Sequence, residues 1–440
     1  MIFFRVTNSI NIKTTDGTLV KYLKFKEPSN LNNETAYITT ADDFEDLKEV
    51  FRNVDKIKYS ARLLKESKVR EVEDFPIELG ISNANEYTNQ VNYEKRIQEN
   101  FINDKDEVNS FLFSNQKADI YKQLTIKKDR VSIAVIGSVG RSIGEMVAGS
   151  TALRILYTKL KEVYKEVVLD LYINASNNTF YSRDKEIYKK QTFINKVYPL
   201  SLDTKKFCSY DYFIDNSSVD LKSMYFKELN MIDAWLYKFG IDYFKIPDNM
   251  KYNQLNMNLF EASDDLKEKI KNAKLKGKLL LFHPYSAKME NSIPQEIAIS
   301  ILKKLIKKAS DYTIVTTLNL DSRNKDSDVI DFSKESKSFN DFSYIISNMD
   351  GIITSETSTF HIADAFLIPS VVIFTNPDYE RKIKYYNYVK AVEIVDESKS
   401  FSQFIFKNNS LTFYRFDSWQ KLKVSRIIKL LETFWYNRYF

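Results

Sequence analysis

Cysteine is all but missing from this chain: Cys208 stands alone among 440 residues. That excludes an internal disulfide framework and any multi-cysteine metal site within one chain, and makes a reducing cytoplasm the expected location. No window approaches the roughly 18 uninterrupted apolar residues of a spanning helix. The first twenty residues interrupt their short apolar runs with Arg5, Lys13 and Asp16, unlike a signal peptide. Membrane association, if any, is therefore expected to be peripheral, at the inner face. Absent too are HExxH, a Walker loop, GxSxG and zinc spacing. The net charge of +6 comes without a polybasic arm, so no nucleic-acid partner is expected.

What is present is an ordinary globular composition, 43% hydrophobic and 28% charged, in a chain long enough for more than one core. Residues 1–125 read as an accessory α+β domain. It has strand-like runs at Ile2–Thr7 and Leu19–Phe25, charge-rich helical stretches at Asp42–Arg70 and Tyr93–Gln123, and an Asn-rich loop at Ser82–Asn92. From Val131 a regular alternation begins. Strands are expected at Val131–Ile136, Val167–Ile173, Val197–Leu200 and Tyr212–Ile214, and a helix presents Leu153, Leu156, Tyr157 and Leu160 on one face. This is a parallel sheet covered on both faces, a first α/β half over 126–250. A second half over 251–395 has expected strands at Leu279–His283, Tyr312–Thr316, Gly351–Thr354 and Ser370–Phe374, and a helix opened by Pro294. Residues 396–440 end in an amphipathic helix (Ile427, Leu430, Leu431, Phe434) expected to pack back on the first half.

Although glycine is scarce, with nine in all, Gly137, Gly140, Gly144 and Gly149 fall within thirteen residues. Such a cluster before a helix allows close ligand approach to unpaired N–H groups, or is merely a tight strand-to-helix turn. Glu145 follows Gly144 directly. It is a general-base candidate or a simple first-turn acid stabilised by the helix dipole. Both histidines lie in the second half. His283, Ser286 and Lys288 on one loop and Glu356, Thr357, Ser358 and His361 on another sit near carboxyl ends of strands, where open α/β sheets bind ligands. Each histidine also has a bland reading as a satisfied core or capping residue. Arg381 and Lys382 follow the last of these strands as phosphate contacts or solvated cations. Asp326-Ser-Asp328 lies in a loop and is not read as a metal site.

These residues carry a resemblance. Ser142-Ile-Gly-Glu-Met-Val-Ala-Gly-Ser-Thr-Ala-Leu-Arg-Ile-Leu156 resembles the first-helix motif of glycosyltransferase family 9, the heptosyltransferase-like enzymes. His283-Pro-Tyr-Ser-Ala-Lys288 with Pro294 resembles its donor-half loop, and Glu356 to Thr375 its His, Ala-rich helix, Pro and strand series. The chain has Glu145 and Glu356 where the family has Asp, Ser358 where it has Gly, and Asn291 and Ser292 near its Lys-Arg pair.

The resemblance implies a GT-B fold, two Rossmann-like halves facing across a cleft. It implies metal-independent, inverting transfer of a sugar, heptose included, from a nucleotide-sugar donor to a hydroxyl of a bacterial surface glycan or protein acceptor, without a cofactor. Glu145 would be the general base. His283, Ser286, Lys288, Glu356, Thr357, Ser358, His361 and Arg381 would bind the donor, and Gly140, Arg141, Ser142 and Gly144 would form the acceptor-side loop. The rival readings are a catalytically silent GT-B-like binding or chaperone protein and an epimerase-type α/β enzyme.

Overall fold

The structure, a computed structural model, describes residues 2–6, 9–23, 36–52, 61–63, 76–79, 119–176, 178–216, 226, 228–256, 261–287, 291–320, 328–375, 378–394 and 417–436. Lys288, Asp326, the Asn-rich loop 82–92 and the helical stretch expected over 93–118 lie outside the described residues. The chain forms two compact units, Met1–Arg141 with Ala148–Lys251, and Ser142–Val147 with Tyr252–Phe440.

In chain order the strands of the first unit are β1 (Ile2–Val6), β2 (Ile10–Lys13), β3 (Leu19–Tyr22), β4 (Tyr37–Thr39), β5 (Ala61–Leu63), β6 (Ile77–Glu78), β7 (Arg130–Ile136), β8 (Glu166–Ile173), β9 (Lys196–Pro199), β10 (Leu202–Asp203) and β11 (Tyr212–Asp215). Its helices include α1 (Ala41–Arg52), most of α2 (Ile143–Lys161), α3 (Tyr181–Lys189) and α4 (Met231–Lys238). A parallel sheet has the order β6-β11-β7-β8-β9. Its central strand β7 buries Val131, Ile133, Ala134, Val135 and Ile136 completely, the near-continuous apolar run that a strand covered on both faces requires. Leu153, Leu156 and Leu160 bury the expected face of α2.

The N-terminal region does not stand apart as an accessory domain. β1, β4 and β5 form an antiparallel sheet that β10 completes from the far side of the parallel sheet's sequence, and β6 is the edge strand beside β11. Of the helix expected over 42–70, residues through Arg52 are helical, Ala61–Leu63 is instead a strand paired with β1, and the rest lies outside the described residues. Pairing with a distant strand overrides the local charge-rich composition there. Leu19–Tyr22 is a strand as expected, and its partner is β2.

The second unit carries β12 (Lys278–His283), β13 (Tyr312–Thr316), β14 (Val329–Asp331), β15 (Gly351–Ser355), β16 (Ser370–Phe374) and β17 (Val389–Glu393). Its longer helices among the described residues are α5 (Asp264–Lys274), α6 (Gln295–Lys308), α7 (Phe339–Ser347), α8 (Ser358–Ala365) and α9 (Val424–Tyr436), with the first turn of α2. All six strands are parallel, in the order β14-β13-β12-β15-β16-β17. Counted from β12 this is 3-2-1-4-5-6, the doubly wound order in which ligands bind where the winding reverses, here between β12 and β15. The edge strands β14 and β17 were not expected, being short or interrupted by Lys390 and Glu393, as edges commonly are.

The C-terminal helix, expected to pack back on the first half, instead contributes to the core of this unit. Ile427 and Leu431 are fully buried in one core with Leu280, Leu305 and Trp419. Gly351 leaves the room, since a Cβ there would stand 3.0 Å from Leu431 Cδ2. An apolar stripe says that a helix face is buried without saying against what.

Candidate functional site

In the first unit, β7, β8 and β11 end together. Gly137 and Ser138, Asn174 and Ser176, and Asn216 follow these strands and line a cavity of about 480 Å³. Gly137 has φ +100°, and a Cβ there would meet Thr40 Cγ2 at 2.9 Å and Asn216 Cβ at 3.1 Å. Only glycine lets those two side chains close over the turn. Gly140 and Arg141 also line the cavity, and Arg141 is ion-paired with Asp42 of α1. Thr40, Asp46, Asn174, Asp184 and Asn216 went unnoticed as a set in the sequence because they come from four distant segments. The available signal was an Asn directly after each of the apolar strands β8 and β11.

Within the second unit, His283 ends β12 opposite Thr354 of β15. The strand exits are tied: Thr354 Oγ1 donates to His283 O at 2.8 Å and Ser355 Oγ to Pro284 O at 3.3 Å. The Ser286 loop closes on Ser292, whose Oγ accepts from Ser286 N at 2.9 Å and donates to Ser286 O at 3.1 Å. His283 Nδ1 meets Thr317 Oγ1 at 2.5 Å, and burial lowers its pKa to about 4, so the ring is neutral at pH 7. Thr357 is the N-cap of α8 yet its side chain makes no cap hydrogen bond. The first-turn N–H groups, the positive end of the helix, thus begin at the strand-order reversal without a side-chain cap.

The nearby charges are paired. Glu356 binds Lys382 at 2.5 Å, and Arg381 is forked onto Asp378, with Nε 3.1 Å from Oδ1. Arg381 would have to leave Asp378 to clasp a phosphate. Among the described residues no group of three or more His, Cys, Asp or Glu could hold a metal ion, and no helix is long and apolar enough to cross a membrane.

His361 and Gly144 meet directly. A Cβ on Gly144 would lie 2.4 Å from His361 Nε2. On its other side, His361 Nδ1 meets the Tyr386 hydroxyl at 2.6 Å, and Phe360 lies 3.9 Å away between ring centroids. Burial, with the Lys382 charge adding, lowers the His361 pKa to about 3. Glu145, one residue on, has a definite local role. Its Oε2 accepts from Ser142 N at 3.0 Å while its own N–H donates to Ser142 Oγ at 3.3 Å. Ser142-x-x-Glu145 is therefore a reciprocal capping box, whose sequence signal is the Ser-x-x-Glu spacing at the helix start.

Two units, each built on a parallel sheet with ligand-accessible strand ends, define a mixed α/β protein of doubly Rossmann-like type. No family model matches the chain, and no curated protein matches it. Solved structures do. It is similar to the E. coli ADP-heptose lipopolysaccharide heptosyltransferase II (13% identity, 69% of this chain and 98% of that one, TM-score 0.46). It is similar also to a glycosyl transferase family 9 protein from Veillonella parvula (11%, 70% and 98%, 0.46). A third is the iron-containing dodecameric glycosyltransferase TibC from enterotoxigenic E. coli H10407 (11%, 70% and 76%, 0.42).

Proposed function

We propose that the chain is a glycosyltransferase of GT-B type, moving a sugar from a nucleotide-diphosphate donor on the second unit to a hydroxyl of a glycan or protein acceptor. The observation that carries this reading is the N-terminus of α8, without a side-chain cap, at the reversal point of a 3-2-1-4-5-6 sheet. Unpaired N–H groups and the helix dipole suit a diphosphate there. Of the residues that resemble family 9, Glu356, Thr357, Ser358 and His361 lie at or in this helix, and His283 and Ser286 lie at the end of the adjacent strand β12, which supports the reading.

In the proposed reaction Glu145 takes the proton of the acceptor hydroxyl as its oxygen bonds to the anomeric carbon and the bond to the diphosphate breaks, with inversion. The departing charge falls on oxygens that the α8 N–H groups stabilise. His361, neutral at pH 7, brings no charge to the phosphates; it fixes Gly144 and thereby the residue after it. The capping-box bond holds the direction of the Glu145 carboxylate.

The test is a panel of nucleotide sugars, ADP-heptose among them, scored by thermal stabilisation and by nucleoside diphosphate release. One donor should raise the melting temperature and turn over. Stabilisation without turnover would favour the catalytically silent binding protein, and release of no nucleotide with epimerised sugar would favour the epimerase. Absence of any binding would refute all three.

A further inference from the structure

The cavity of the first unit has a chemistry of its own, and we propose that it holds an amino sugar, with the ammonium beside Asp46 and a ring hydroxyl donating to Asn216 Oδ1. As the acceptor of the transfer proposed above this rests on that reading; as a binding site it does not.

Charge points to a cation. The lining has four acids, Asp42, Glu45, Asp46 and Asp184, against two arginines, a surplus of two negative charges on a chain whose net charge is +6. Both arginines are engaged: Arg141 with Asp42, and Arg183 with Asp184 at 2.6 Å while lying over the Phe180 ring at 4.4 Å. Glu45 binds Lys48 at 2.5 Å. Asp46 is left without an ion pair among the described residues. Burial, Glu49 and Asp42 raise its pKa against the opposing pull of Arg141, whose guanidinium is itself held by Asp42, so an arriving ammonium would be relieving like-charge crowding there.

Unmet acceptors point to a polyol. Asn216 is 7% exposed; its Nδ2 donates to Gly137 O at 3.2 Å, which orients the amide, and its Oδ1 has no partner. Asn174 Oδ1 is likewise unsatisfied. Buried acceptors left unpaired are destabilising, so a ligand rich in O–H and N–H donors is the natural complement. The volume of about 480 Å³ lies in the ordinary range for small-molecule sites. An anionic sugar would meet the acids.

The test is calorimetric or saturation-transfer titration of the full chain with methyl glucosaminide, methyl N-acetylglucosaminide, methyl glucuronide and a short lysine peptide. Acetylation removes the charge and keeps the ring. The amine should bind at least about tenfold more tightly than the N-acetyl sugar at low salt, a preference that shrinks as salt screens it. Asp46→Asn should level the two, and Asn216→Ala should weaken both. Should either variant fail to fold, the salt dependence of the wild-type preference still decides. Equal binding of amine and N-acetyl sugar, tighter binding of the glucuronide, binding of none, or a lysine peptide matching the amino sugar would each overturn the proposal. None of these readings requires turnover, so they are independent of the nucleotide-release assay.

Discussion

Gly144→Ala tests whether the packing around His361 is what sets the first turn of α2. The added Cβ would stand 2.4 Å from His361 Nε2, 2.5 Å from Cδ2 and 2.9 Å from Cε1, and so would meet the ring itself rather than a flexible tip. The ring has little room to retreat, being hydrogen-bonded to Tyr386 at 2.6 Å and packed at a tilt against Phe360 with ring centroids 3.9 Å apart. Overpacking of this kind costs about 1–3 kcal/mol. Alanine in a helix recovers up to about 1 kcal/mol over glycine, so the single variant should lose roughly 0–2 kcal/mol. In a His361→Ala background the space is open and the same change should be neutral or stabilising. The coupling between the two sites is then about 1–3 kcal/mol, and the cycle cancels the separate cost of leaving the Tyr386 hydroxyl unpaired. Urea denaturation of the four proteins measures it. Additive effects, with Gly144→Ala equally harmful in both backgrounds, would refute the reasoning. Displacement of Glu145 should also lower transfer by about a hundredfold in the single variant.

Three further outcomes follow from the structure. Glu145→Gln keeps a capping-box residue at its position, so melting should be unchanged while transfer falls by about 10²–10⁴; retained transfer removes Glu145 as the base. Asp364 is buried, its pKa raised to about 7 by burial despite hydrogen bonds from Tyr388 N at 3.0 Å and Asn253 Nδ2 at 3.1 Å. Its contribution to stability is complete below about pH 4, where the carboxyl is protonated folded or unfolded, and is lost as pH rises through 7. Asp364→Asn should therefore gain on the wild type between pH 4 and 8, and parallel stability–pH curves would count against the assignment. Leu431→Ala should destabilise the second unit by about 2–5 kcal/mol, because Leu431 fills the space over Gly351; a loss below about 0.5 kcal/mol would mean α9 does not pack there.

The inner parallel strands are legible as apolar runs, and both ends of β13 and of β16 fall where the pattern puts them, whereas β6, β14 and β17 at the sheet edges are not. What the sequence hid was partnership. Ala61–Leu63 has no strand signature of its own, and only its register with Phe4–Val6 makes it one. The stripe of α9 announced burial but not that Gly351 would receive it. The second-unit site was legible in outline, since His283 and Ser355 end adjacent strands, whereas the first-unit cavity needs residues from Thr40 to Asn216, brought together by pairing that no local pattern encodes.

The glutamate at position 145 joins these levels. In the family that the motif resembles, an aspartate stands there, and the longer side chain first reads as a departure from the chemistry. The capping box gives it another meaning, because a glutamate at the third helical position is what reaches back to the N–H of Ser142, and here it does so at 3.0 Å. Cap and base can then be separated. Glu145→Gln preserves the reach and removes the basic carboxylate, while Glu145→Asp preserves the carboxylate and shortens the reach, which should cost about 0.5–1 kcal/mol of helix stability. If the carboxylate acts as the base, the aspartate variant retains far more transfer than the glutamine variant despite melting lower. If Glu145 serves only the helix, the order of the two activities follows their stabilities instead.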